Sequence, residues 1–94
     1  MAVCLVMQFP NMSRSSYDNV MKALDFESAG WPEGIISHVA GPAPQGWVVV
    51  DIWQSQALFD QFLNTRLKSA FEKAGVGAPQ PQATVFEVHN QYPK

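Results

Sequence analysis

His38 and Asp51 are the two residues of this chain whose types and spacing could do chemistry. Each interrupts an otherwise apolar run, His38 in Gly34-Ile-Ile-Ser-His-Val-Ala40 and Asp51 in Gly46-Trp-Val-Val-Val-Asp-Ile-Trp53. A polar group in such surroundings needs either a hydrogen-bonding partner or a task, because burying it unpaired is costly. An imidazole acts as a base near physiological pH or binds a ligand carbonyl, and a carboxylate beside it orients the ring. The bland reading is a buried histidine satisfied by a backbone or aspartate partner.

Asp51 alternates with Trp47, Val49 and Trp53, so these four share one strand face. Two tryptophans flanking a carboxylate suit a flat hydrophobic ligand. The competing reading makes the tryptophans interface core and Asp51 a satisfied buried acid, and strand register decides between pocket and subunit seam. Farther along, Arg66 follows Leu58 and Phe59 by seven to eight residues. Its stem is placed to run along an apolar helix stripe with its head at a pocket mouth, the alternative being a solvated arginine or an ion pair. Phe59, Phe62 and Phe71 recur at helical spacing and read first as core, second as a substrate platform. His89 and Tyr92 near the C-terminus receive no role.

The elements that must position these groups are legible in outline. Residues 2 to 9 form an apolar run stopped by Pro10, which predicts a strand. Asn11-Met-Ser-Arg-Ser-Ser16 offers N-cap hydroxyls ahead of Tyr17, Val20, Met21 and Leu24, predicting one helix that ends near Ser28 and Gly30. The two interrupted runs read as antiparallel strands joined by the turn-rich insert Gly41-Pro-Ala-Pro-Gln45, so His38, on the face of Ile36 and Ala40, can lie opposite or diagonal to Asp51. Ser55 then caps a long helix with Leu58, Phe59, Phe62, Leu63, Leu67, Ala70, Phe71 and Ala74 on its apolar face, closed by a left-handed Gly75. The linker Val76-Gly-Ala-Pro-Gln-Pro-Gln82 leads to a last strand over residues 83–89. Strand, helix, strand, strand, helix, strand is the ferredoxin-like βαββαβ order, an α+β fold with a four-stranded antiparallel sheet and two helices on one face.

Bulk properties narrow the function classes. Ninety-four residues suit one domain spanning 1–94. Charged residues are only 15% of the chain against roughly 25% in ordinary domains, while 47% are hydrophobic, so part of the surface is expected to be apolar. A net charge of -2 with six scattered basic residues leaves no footprint for nucleic acid. No apolar stretch approaches the ~20 residues that span a bilayer and no signal peptide is evident, so a cytoplasmic protein with no membrane partner is expected. The single Cys4 sits in an apolar run and reads as a small core residue. Metal-ligand spacing, a phosphate loop, a serine nucleophile elbow and a CxxC pair are all missing, so neither metal nor cofactor is expected, although ligation of haem by one histidine is not excluded.

The strands are apolar on both faces, Val48, Val50 and Ile52 opposing Trp47, Val49 and Trp53. The face without helices needs a cover, and a second copy of the chain is the simplest one, which predicts a homodimer with sheets face to face. In its element order, in Gly46-Trp-Val-Val-Val-Asp-Ile-Trp-Gln-Ser55 and in Phe59-Asp-Gln-Phe-Leu-Asn-Thr-Arg-Leu67, the chain resembles the antibiotic-biosynthesis-monooxygenase-like proteins of the dimeric α+β barrel superfamily over nearly its whole length. That resemblance implies a pocket between sheet and helices of each subunit and a helix arginine, here Arg66, near the site. Relatives of the fold include cofactor-free oxygenases of aromatic polyketides, haem-degrading enzymes, isomerases and stress-related proteins, so it leaves the reaction open. The expected enzyme is a cofactor-independent monooxygenase or isomerase acting on a small aromatic or carbonyl compound. His38 would move a proton, Asp51 would orient it, Arg66 would stabilise an enolate, and Trp53, with Trp47, Phe59 and Phe62, would hold the ligand. The alternative is a non-catalytic binding or stress-response protein using the same pocket.

Overall fold

The computed structural model describes residues 1–44, 46–76 and 81–93. Strand β1 (Val3–Phe9) leads into helix α1 (Arg14–Leu24) and a one-turn helix α2 (Phe26–Ala29), and the hairpin β2 (Ile35–Ala43) and β3 (Gly46–Trp53) follows. Helix α3 (Gln56–Phe62) continues through a π-helical turn, Leu63–Leu67, into α4 (Lys68–Ala74), and β4 (Gln82–Glu87) ends the fold. The sheet is antiparallel throughout in the order β2-β3-β1-β4, with the helices packed on one face, which is the ferredoxin-like arrangement. No helix among the described residues is long and apolar enough to cross a membrane.

Both helical layers begin where the hydroxyls predict. Ser13 accepts from the Ser16 amide at 3.1 Å and Ser55 from the Leu58 amide at 3.2 Å, each satisfying one of the orphan donors of a first turn. Gly75, at φ 72°, ends the second layer in the left-handed conformation. Gly34 and Gly46 hold close approaches. A Cβ on Gly34 would lie 2.5 Å from the Leu58 side chain, and one on Gly46 would lie 2.3 Å from the Phe9 carbonyl oxygen. The core between sheet and helices is built from Leu5, Met7 and Phe9 of β1, Trp47, Val49 and Trp53 of β3, and Val20, Leu24, Phe59, Phe62 and Ala70 of the helices.

Four local features depart from the sequence expectations. The first helix does not run on to Ser28. Asp25 takes the left-handed conformation (φ 51°, ψ 60°), ends α1, and caps α2 by accepting from the Ser28 amide at 3.4 Å. Aspartate tolerates that conformation better than most residues, and the break turns Phe26 back toward the core. The second helix is interrupted by the π turn, inside which Thr65 donates its hydroxyl proton to the Gln61 carbonyl at 2.6 Å. Strand β2 runs through Gly41 and Pro42 to Ala43, because β2 is an edge strand and a proline without an N–H costs an edge nothing. Finally, a register shift between Ile35 and Ser37 inserts Ile36 as an extra residue. Ile35 therefore joins His38 and Ala40 on the helix side, and Ile36 is exposed rather than sharing the face of His38. Gln45 of the hairpin turn and positions 77–80 of the linker lie outside the described residues.

Candidate active site

The hairpin register pairs His38 directly with Asp51 across β2 and β3. Their side chains point to the helix side, where β3 buries Trp47, Val49, Asp51 and Trp53 in strict alternation. The face of Asp51 is thus the covered one. Asp51 is 5% exposed, and both its oxygens are engaged. Oδ1 lies 2.6 Å from His38 Nδ1, and Oδ2 accepts from Trp53 Nε1 at 3.2 Å. A carboxylate accepts only, so Nδ1 carries a proton, and in the neutral ring this leaves Nε2 as an acceptor.

Nε2 is taken up by Tyr17. Its hydroxyl oxygen lies 2.6 Å from Nε2 and donates to it in that tautomer. The planes of the two rings differ by 4° with centroids 6.1 Å apart, which places the contact edge to edge, where the nitrogen lone pair points. Trp47 packs beside Tyr17 at 5.2 Å between centroids. Burial first, then the negative charges of Asp51 and Asp18, push the Tyr17 hydroxyl above its ordinary pKa of 10.0. The result is a continuous chain of hydrogen bonds, Tyr17 to His38 to Asp51, with Trp53 steadying the far carboxylate oxygen.

This chain opens on an apolar cavity of about 60 Å³. Phe9, Ile35, His38, Val49 and Asp51 form its sheet wall. Tyr17, Met21, Phe26, Phe62 and Leu67 contribute to its helix wall. Tyr17 is the member that sequence reasoning missed. It was legible only as an apolar-stripe residue of α1, and its one signal was a hydroxyl on the helix stripe that must cover the strand bearing His38.

The remaining sequence candidates fall in different places. Trp53 is fully buried beneath Asp51, packed at 5.5 Å on Phe59 and 5.4 Å on Phe62, and of these three only Phe62 lines the cavity. Trp47 Nε1 is a buried polar atom without a partner among the described residues. Arg66 is not brought to the cavity wall. Its guanidinium donates to the Gly30 carbonyl at 2.9 Å and the Leu24 carbonyl at 3.4 Å, and lies over the Phe26 and Phe62 rings at 5.6 and 5.9 Å. These carbonyls close α1 and α2, the ends where a cation is favoured. Arg66 ties the α1–α2 break to the second helical layer.

Sheet, helix layer and cavity between them define an α+β fold of the ferredoxin-like kind with an interior site on each chain. No protein-family model matches the sequence, and no curated protein matches it. Solved structures do match, and they carry the fold of antibiotic biosynthesis monooxygenase-like proteins, which is the fold of this chain. SnoaB, a cofactor-independent oxygenase from Streptomyces nogalater, superposes with a TM-score of 0.67 at 14% identity, covering 99% of this chain and 98% of that one. A monooxygenase from the gene ActVA-Orf6 of Streptomyces coelicolor, in complex with nanaomycin D, gives 0.60 at 15%, covering 96% and 88%. A dimeric ferredoxin-like protein of unknown function from Thermobifida fusca gives 0.64 at 15%, covering 94% and 92%.

Proposed function

We propose that the chain is a homodimeric, cofactor-independent monooxygenase whose cavity holds a small aromatic or carbonyl compound. The observation that carries this reading is the His38–Asp51 pair at 2.6 Å on the wall of an otherwise apolar cavity. An imidazole backed by a buried carboxylate is suited to accept a proton, and the apolar walls keep competing water from the anion that results. A carbanion or enolate so formed reduces dioxygen directly. Oxidation of a CH2 group to C=O in this way consumes one O2 and releases one water. The cofactor-independent oxygenase of the same fold gives the reading its chemical precedent.

Dimerisation is part of the proposal and rests on the second sheet face. There Val39, Val50 and Val6 lie in one row across the strands, and Ile52, Cys4 and Phe86 in the next, with Val39 62% and Phe86 51% exposed. An apolar face of this kind is self-complementary under a two-fold axis. Sedimentation as a dimer at micromolar concentration is the expected result.

One observation favours the non-catalytic reading: Arg66 is committed to backbone carbonyls, so among the described residues no arginine or lysine lines the cavity to steady an enolate. Oxygen consumption over a panel of anthrone-like and quinol compounds, for the parent and for His38→Ala, separates the two. Turnover by the parent that is lost in the variant while tryptophan-fluorescence binding is retained supports the enzyme. Binding without turnover in the parent leaves a binding protein.

A further inference from the structure

Both nitrogens of His38 are occupied, Nδ1 by Asp51 and Nε2 by Tyr17. A ligand in the cavity therefore meets no free ring nitrogen, although His38 lines the wall. Tyr17 lines the same cavity, and its oxygen, whose proton goes to Nε2 of the neutral ring, keeps a lone pair able to accept from a ligand. A carbonyl oxygen would set lone pair against lone pair there, whereas a hydroxyl would donate.

Accepting the cavity as the working site, we propose that it takes a phenol or enol, and that Tyr17 relays the ligand's O–H proton to the His38–Asp51 pair. The ligand O–H breaks as its proton passes to Tyr17 Oη, and the Tyr17 O–H breaks as its proton passes to His38 Nε2. The products are a ligand oxyanion and an imidazolium, with no change of oxidation state. Afterwards the two hydrogen bonds of the relay have reversed: Nε2–H donates to Tyr17, and Tyr17 donates to the ligand oxyanion. The imidazolium is held by Asp51 at 2.6 Å. Tyr17 is neutral at both ends of the transfer, consistent with the burial and the Asp51 and Asp18 charges that disfavour its ionised form. Those carboxylates, one on β3 and one on α1, are the charged groups acting on it. Tyr17 would thus touch the ligand and set its class, a role that packing against Trp47 does not require.

The test uses the intact protein with 4-nitrophenol, 4-nitroanisole and acetophenone as probes, read by tryptophan fluorescence and by the visible band of the nitrophenolate. The parent is expected to bind the phenol at least about tenfold tighter than the anisole, since a site built to pair a hydroxyl rejects an analogue without one. Bound nitrophenol is expected to show the phenolate band at a pH where the free compound does not. Tyr17→Phe should keep the fold, bind phenol and anisole alike and lose the band, and His38→Gln should lose the band while retaining a preference for the phenol. Equal binding of phenol and anisole by the parent, or an undiminished band in Tyr17→Phe, overturns the relay while leaving the cavity as a ligand site. Failure of all three probes to bind overturns the relay together with the reading it rests on.

Discussion

The two faces of β3 invert the usual placement of charge. Its helix side carries a carboxylate, Asp51, in the most buried layer of the protein, whereas its other side carries only Val48, Val50 and Ile52 and stands half-exposed. A buried polar group and an exposed apolar patch are the informative exceptions to ordinary burial, and here one strand supplies both. The inner exception is affordable because both carboxylate oxygens are engaged: Asp51 accepts one hydrogen bond from His38 and another from Trp53, and Tyr17 completes the chain. The outer exception has no such internal remedy. One face is finished within the chain, and the other is left open, the face on which the proposed dimer would form.

Breaking the inner arrangement should have the largest effect. Asp51→Ala strands His38 Nδ1 and Trp53 Nε1 without an acceptor and leaves a void beside a fully buried indole, so a loss of about 3–5 kcal/mol is expected in urea unfolding. A loss below ~1 kcal/mol would mean that hydrogen bonding is not what makes the inner carboxylate tolerable. On the outer face, Val50→Lys places an ammonium in the middle of the Val39, Val50, Val6 row. It should convert the proposed dimer to monomer in sedimentation while leaving the secondary structure intact, because the lysine of a monomer faces water. A dimer that survives this change would move the interface away from the open face.

Arg66→Met is expected to cost about 2 kcal/mol, the scale of charge-assisted hydrogen bonds to the Leu24 and Gly30 carbonyls plus its contacts with Phe26 and Phe62. For a domain of this size that lowers the melting temperature by roughly 10 °C. The cavity chain is a separate set of contacts, so the variant should bind the aromatic probes with affinity close to that of the parent. A tenfold weaker affinity would instead connect Arg66 to the site through Phe26.

How far these features could be read beforehand follows from how local their causes are. The alternation of β3, the serine caps at Ser13 and Ser55, and the glycine end at Gly75 depend on neighbours within a few residues, and they stand where the pattern puts them. The bulge at Ile36 is different, because an inserted residue in an edge strand leaves the composition unchanged and appears only in the pairing with β3. The left-handed Asp25 was hidden by helical spacing that continues through it. Tyr17 and Arg66 depend on contacts 21 and 36 residues away in the chain, which no local period carries. Without the break at Asp25 and the π turn, nothing indicated that a helix arginine would find two open carbonyls instead of a pocket mouth.

The smallest expected effect is also the one that samples both faces at once. Asp51 raises the pKa of Tyr17 on its own side of the sheet and of Cys4, which belongs to the opposite face of β1, with burial the larger cause in each case. In the unfolded chain the thiol gives up its proton near pH 9.0 and the phenol near 10.0, while the folded chain holds both protons longer. Above those values the unfolded state binds fewer protons, so stability is whole below pH 9 and declines as pH rises toward the folded pKa values. Cys4→Ala should flatten the first part of that decline and Tyr17→Phe the part above pH 10, measured as the urea midpoint against pH. In the Cys4→Ala background, Asp51→Asn should flatten the Tyr17 part only partially, because removing the charge leaves the burial. If Asp51→Asn flattens it completely, the carboxylate and not burial governs the hydroxyl, and the inner face owes its chemistry to one charge.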